Sequence, residues 1–208
     1  MKATMLAFLL LCSVPAIASQ LAITDSGDVV ILKDDGTWEY QSNDDEIIKN
    51  IPTNKQEFKR PKTSNFCVKS KINNSSFWIN PKKWGFGKAT NVPVAEYQFN
   101  LKNEGLCGAV ITENIEIPIE TLSMLAFENM RRERPDAKIV NREYRTVNGI
   151  EVIYMIMEFK IEDVPYNFYG YYFSNSSGST QLVAWTSSNL AEKYQSEITN
   201  FLNGLDLK

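Results

Sequence analysis

Histidine is absent from all 208 residues. Its absence removes the Ser-His and Cys-His nucleophilic arrangements, the commonest zinc ligand and the usual proton shuttle near neutral pH. Cysteine is scarce too: Cys12, Cys67 and Cys107 are the only ones, and none forms a Cys-x-x-Cys redox motif,. No apolar run is long enough to span a bilayer as a helix. A basic surplus is also lacking, with 22 Lys and Arg against 25 Asp and Glu for a net charge of -3. Nucleic acid as a partner would need a basic surface and is therefore disfavoured. No catalytic signature is visible, and nothing in the chain calls for a metal or a cofactor.

The N-terminus reads as an address. Residues 1–18 begin with Lys2, run apolar over 5–11 and end in Ala16-Ile17-Ala18, a small-residue pattern that a signal peptidase cuts,. The expected mature chain is periplasmic or secreted and does not span a membrane. Leu9-Leu10-Leu11 precede Cys12, where a lipid-modified cysteine needs small neighbours, so plain cleavage after Ala18 is the better reading,. Cys67 and Cys107 then remain as an even pair in an oxidising compartment, which predicts a disulfide. Closing that loop would stabilise the fold by roughly 4 kcal/mol through lost unfolded-chain entropy.

Past the address, residues 19–43 carry Val29-Val30-Ile31-Leu32, the turn Asp34-Asp35-Gly36 and Trp38-Glu39-Tyr40. This predicts a short β-hairpin, an accessory flap or a docking tab for a partner. Residues 44–65 turn polar, with Asp44-Asp45-Glu46 giving way to Lys55, Lys59, Arg60 and Lys62, and read as a linker,. The main domain is expected over 66–208.

Within it, strands are predicted at 66–68, from Phe77 to the stop at Pro81, at 97–101 and at 107–117, with Gly85-Phe86-Gly87 leading into a loop. Leu122, Leu125, Ala126 and Met130 recur at helical spacing over 119–134, and Pro135 ends the helix,. A meander follows over 138–147, 150–161, 166–173 and 181–186, its first turn marked by Asn148-Gly149,. Ile153, Met155, Met157, Phe159 and Ile161 alternate with Val152, Tyr154 and Ile156, so the second strand is apolar on both faces and belongs at the centre of a covered sheet. An amphipathic helix over 189–202 closes the chain, with Asn189 and Glu192 spaced as a capping box,.

Candidate binding residues follow from type and clustering. Trp84, with Trp78, offers an aromatic platform for a sugar or a cation, against the plainer reading of a core anchor. Arg131, Arg132 and Arg134 cluster at the end of the first helix, where cations complement its dipole; with Arg142 and Arg145 they would form an anion-binding or acidic-partner patch,. Residues 166–173 hold six aromatics, among them Tyr169 and Tyr171, which would line a ligand groove or simply pack across strands,. Glu113, Glu116, Glu120 and Asp163 are acids that a carboxylate-dependent hydrolase would need, although no spacing singles out a pair,.

The order of elements, together with Phe77, Ile79, Pro81 and Trp84, resembles the PsbP-like family: the photosystem II extrinsic protein, Ran-binding relatives and bacterial envelope proteins. The resemblance covers about residues 66–208. It implies an α+β fold, an antiparallel sheet flanked by helices as an α/β/α sandwich, here preceded by the hairpin. It also implies binding or assembly roles without catalysis. The expected function is therefore a secreted or periplasmic binding or assembly factor whose partner is an envelope protein or a small ligand. The alternatives are a carboxylate-dependent envelope hydrolase and a carrier of a small apolar ligand in a cavity behind 166–173.

Overall fold

A computed structural model of the chain describes residues 20–24, 29–40, 50–90 and 92–207. The secretory signal expected at 1–18 lies outside them. The chain divides into two compact units, Met1–Gln41 and Ser42–Lys208.

The first unit is a three-stranded antiparallel sheet of β1 (Gln20–Ile23), β2 (Val29–Leu32) and β3 (Trp38–Tyr40). β2 and β3 form the expected hairpin, and β1 adds a third strand. Gly36 takes the left-handed backbone at φ 82°, and the Asp35 carboxylate accepts from the Thr37 N–H at 2.9 Å. The Thr37 hydroxyl and then this amide hold the Asp35 carboxyl below its usual range,. Trp38 and Tyr40 meet edge to face at 5.3 Å and stay largely exposed.

The second unit is built on an eight-stranded sheet in the order β4-β10-β11-β12-β13-β9-β8-β7. Its meander is β10 (Lys138–Val147), β11 (Ile150–Ile161), β12 (Val164–Asn175) and β13 (Gly178–Ser187), all antiparallel. Asn148 and Gly149, both at positive φ, make the tight turn between β10 and β11,. β13 pairs with β9 (Cys107–Glu113), then come β8 (Tyr97–Leu101) and the edge strand β7 (Trp84–Lys88). At the other edge, β4 (Thr53–Phe58) runs parallel to β10. The polar stretch expected to be a linker thus supplies a strand. Its Lys55 and Glu57 are tolerated there because one side of an edge strand faces solvent.

Each face of this sheet has its own cover. Helix α1 (Ile119–Glu133) packs Leu122, Met124 and Phe127 on the face of Ile153, Met155, Met157 and Tyr172. On the opposite face, helix α2 (Ala191–Leu202) joins a small sheet of β14 (Leu205–Leu207), β6 (Ser75–Ile79) and β5 (Phe66–Lys69). Val68, Phe77, Ile79, Trp84, Phe99, Val152, Tyr171, Leu182, Ile198 and Phe201 share one core there. Gly204 lets β14 reach β6: a Cβ at this position would lie 2.1 Å from the Trp78 carbonyl oxygen. At Gly170 the close approach comes from the Tyr172 ring, 2.8 Å from where a Cβ would sit, and the pairing of β12 continues through it without a bulge. The expected capping box does not form. Ser188–Leu190 tightens into a 3-10 turn, and no side chain caps α2.

The expected disulfide is absent: Cys67 and Cys107 are free, half-buried thiols. The reason is which way each strand faces. Val68 and Val110 enter the shared core, and side chains alternate along a strand. Cys67, next to Val68, and Cys107, an odd number of residues from Val110, therefore point away from that core on two different sheets. Burial pushes the Cys107 thiol up,. Alkylation of the native protein without reductant is expected to modify both Cys67 and Cys107, the latter more slowly. A mass two hydrogens short and resistant to alkylation would contradict this placement.

Candidate functional site

Three segments that are distant in sequence converge at one end of the sheet. The turn between β6 and β7 is set by Asn80, whose side-chain oxygen accepts from the Lys82 N–H at 3.0 Å,. Its carbonyl accepts from Lys83 and Trp84. The turn between β8 and β9 carries Asn103 in the left-handed region at φ 60°. The third segment is α2, where Tyr194, Ile198 and Phe201 face the core and Lys193 and Glu197, four residues apart, share the cleft-facing side,. Trp84, 3% exposed, stacks on Phe201 at 4.4 Å between ring centres and ties the start of β7 to the helix.

Between these segments lies a cleft of about 480 Å³ lined by Lys82, Lys83, Leu101, Lys102, Asn103, Glu104, Lys193, Tyr194 and Glu197. It holds four ammonium groups and two carboxylates. Glu104 receives Lys193 at 2.7 Å and the Tyr194 hydroxyl. The Lys193 ammonium, then that hydroxyl, holds its carboxyl below the usual range, while Glu104 in turn raises Lys193,. Lys83 pairs with Glu197. The Lys102 ammonium donates to the Pro81 carbonyl at 2.7 Å. Lys82 is exposed and has no carboxylate partner among the described residues. After internal pairing the cleft keeps a positive excess, from Lys82 and Lys102, in a chain whose net charge is -3. Such a site attracts carboxylates or phosphates by charge and by its ammonium donors.

The candidates read from sequence are dispersed. Trp84 is a core anchor that does not line the cleft, and Tyr169 and Tyr171 are buried at 3% and 0% exposure. The Tyr171 hydroxyl donates to Asn203 Oδ1 at 2.8 Å. Leu182, Ile198 and Leu202 belong to the same core as Tyr169 and Tyr171. Arg131, Arg132 and Arg134 lie at the end of α1, with Arg131 paired to Glu128 at 3.4 Å. Arg142 is buried beneath the first turn of that helix, donating to the Glu120 carbonyl and the Ser123 hydroxyl, both at 2.7 Å. Arg145 sits on the opposite face, bonded to Glu143 at 2.6 Å and resting over the Tyr154 ring at 3.5 Å. The five arginines form no common patch. Among the candidate acids, Glu120 accepts from the Tyr144 hydroxyl at 2.5 Å. Asp163 precedes β12 and Glu113 pairs beside its far end, roughly 35 Å away at strand rise.

Burial and the Glu120 carboxylate push the Tyr144 hydroxyl up to about 12, against about 10 in an unfolded chain. Its contribution to stability is complete below the unfolded value and is lost as pH rises through the folded one. Desolvation raises Tyr154 and Tyr172 as well. Ultraviolet titration is expected to show one early phenolate phase and a late one that coincides with unfolding. A single phase with the fold intact would contradict this burial.

By sequence, the chain matches no protein-family model. No curated relative matches it either. Solved structures do: cyanobacterial PsbP (CyanoP) from Synechocystis aligns with a TM-score of 0.55 at 13% identity, over 71% of this chain and 95% of that one. A protein of unknown function from Pseudomonas aeruginosa, PA94, aligns with a TM-score of 0.44 at 9% identity, over 69% and 99%. The chain is a PsbP-like α+β protein in fold, and it is similar to cyanobacterial PsbP in architecture alone.

Proposed function

We propose that the protein is a noncatalytic binding or assembly factor, periplasmic or secreted after loss of residues 1–18, which holds an anionic segment of an envelope partner in its lysine cleft. The observation that carries this reading is the positive excess of the cleft within an acidic chain. Two further features support it. Glu104, held ionised by Lys193 and Tyr194, acts as a strut rather than a proton donor, and the strand aromatics are committed to packing.

The test is a titration of labelled protein, followed by nuclear magnetic resonance, with a peptide of alternating glutamate and valine. Shifts are expected at Lys82, Lys102, Asn103 and Lys193, with an affinity that falls steeply as salt rises. No shift at these residues would overturn the proposal. A parallel titration with citrate separates the small-ligand reading: citrate binding as tightly as the peptide would replace a protein segment by a small carboxylate.

A further inference from the structure

Lys82 and Lys83 of the cleft lead directly into β7, the edge strand that begins at Trp84. No strand among the described residues pairs with its outer side. The phase of its pairing is set by the Lys102 N–H donating to the Lys83 carbonyl at 2.9 Å. In an antiparallel ladder, alternate residues bond to a given neighbour. Gly85 and Gly87 therefore turn their backbone groups to β8, while Phe86 and Lys88 turn theirs outward. Gly87 has no atom within 4 Å of where a Cβ would stand, so the sheet face is uncovered at that point.

The side chains beside this edge are apolar. Phe86 is 44% exposed and lies 5.4 Å, centre to centre, from Phe66 of β5, itself 41% exposed. Phe99 backs it at 6.2 Å. The two phenylalanines mark an open flank of the core, between an edge of the small sheet and an edge of the large one. The other edge of the large sheet is defended: β4 carries exposed Lys55 and Glu57 and an irregular register with β10, devices that discourage strand pairing. β7 has neither along Gly85-Phe86-Gly87.

We infer that β7 is an acceptor edge that takes an extended segment of the partner as an added strand, with acidic residues at the segment's ends and an apolar residue over Phe66 and Phe86. This deepens the reading of an anionic segment in the lysine cleft and rests on it. Charge selects the occupant. Lys82 and Lys83 stand at one end of β7 and Lys88 at the other. Antiparallel pairing with a second copy centred on Gly85 would set Lys88 against Lys82 of that copy, and like charges across strands destabilise. A strand with carboxylates at its ends meets opposite charge at both, and its backbone supplies the ladder bonds.

The experiment uses acid-ended peptides with Val, Thr and Phe at their centre, prepared in two forms N-methylated at alternate central residues. One methylated form is expected to bind about tenfold or more weaker than the parent, and the other to bind like it, because only one set of amides faces β7. On the protein side, Lys88→Pro removes an outward N–H at a position where an edge strand tolerates proline. It is expected to weaken binding about tenfold relative to Lys88→Thr, with the fold of both verified by circular dichroism. Equal binding by the two methylated peptides would overturn strand addition. So would amide-exchange protection at β4 instead of at Phe86 and Lys88. If the peptides shift Lys82 and Lys102 without protecting β7, the added strand fails and the cleft reading stands; if neither responds, both fail.

Discussion

Replacing Phe201 with alanine is expected to lower the free energy of unfolding by about 3–5 kcal/mol, the range for removing a large aromatic from a packed core. Phe201 is 2% exposed and stacks on Trp84 at 4.4 Å, while Phe99 meets it edge-on at 5.2 Å. Its ring also fills the notch over Gly108, where a Cβ would lie 2.7 Å from the ring. Truncation thus removes buried apolar area, two ring pairs and the filler of a glycine notch together. Each ring pair adds about 0.5–1.5 kcal/mol beyond area burial. The loss also loosens α2, which carries Lys193 and Glu197 of the cleft, from β7 and β9. Denaturant unfolding checks it: the midpoint should fall with little change in slope. A loss below about 1 kcal/mol would show that these rings are not packed as described.

Reversing Lys82 and Lys102 to glutamate is expected to weaken acidic-peptide binding about a hundredfold, roughly a tenfold loss for each reversed charge. Both lysines lack a carboxylate partner among the described residues, so the reversal breaks no ion pair between side chains. Little change in melting temperature should follow. The paired lysines behave differently. Lys83→Glu would also set Glu197 against a like charge, and Lys193→Glu would do the same to Glu104. The control is Arg131→Glu with Arg132→Glu at the end of α1, expected to leave binding unchanged. If the arginine pair weakens binding and the lysine pair does not, the site lies on α1 and the cleft is incidental. Calorimetric titration at two salt concentrations distinguishes the outcomes, because exposed charges are screened as salt rises.

Where side-chain periodicity carries the signal, the fold is legible in the sequence. The meander is the clearest case: Asn148-Gly149 marks its first turn, and the two-sided apolar pattern of β11 places that strand at the centre of a covered sheet. The strands that periodicity misses are held by backbone pairing. β7 contains Gly85 and Gly87, which strands disfavour, and so its segment reads as a loop. β4 is polar because it is an edge, and β14 has three residues, too few to show a pattern. Spacing likewise could not report that Cys67 and Cys107 point away from the core on separate sheets.

The cleft was hidden for a related reason. Lys82 and Lys83 are adjacent and visible in the chain, but Lys102 and Lys193 join them only when the turn after β8 folds against α2. Trp84 stands out in the sequence for its aromatic ring, but it is a core residue stacked on Phe201 and does not line the cleft. Arg142 and Arg145 are close in sequence. An odd separation along one strand sends them to opposite faces, one under α1 and the other over Tyr154,.

The most direct test of the cleft as a binding site is lysine acetylation footprinting of the protein, alone and in any complex that forms when it is mixed with envelope extract. Lys82 and Lys102 should lose reactivity in the complex, while Lys55 and Lys138 on the far strands keep theirs. Unchanged reactivity at Lys82 and Lys102, with protection elsewhere or with no complex captured, would contradict the account.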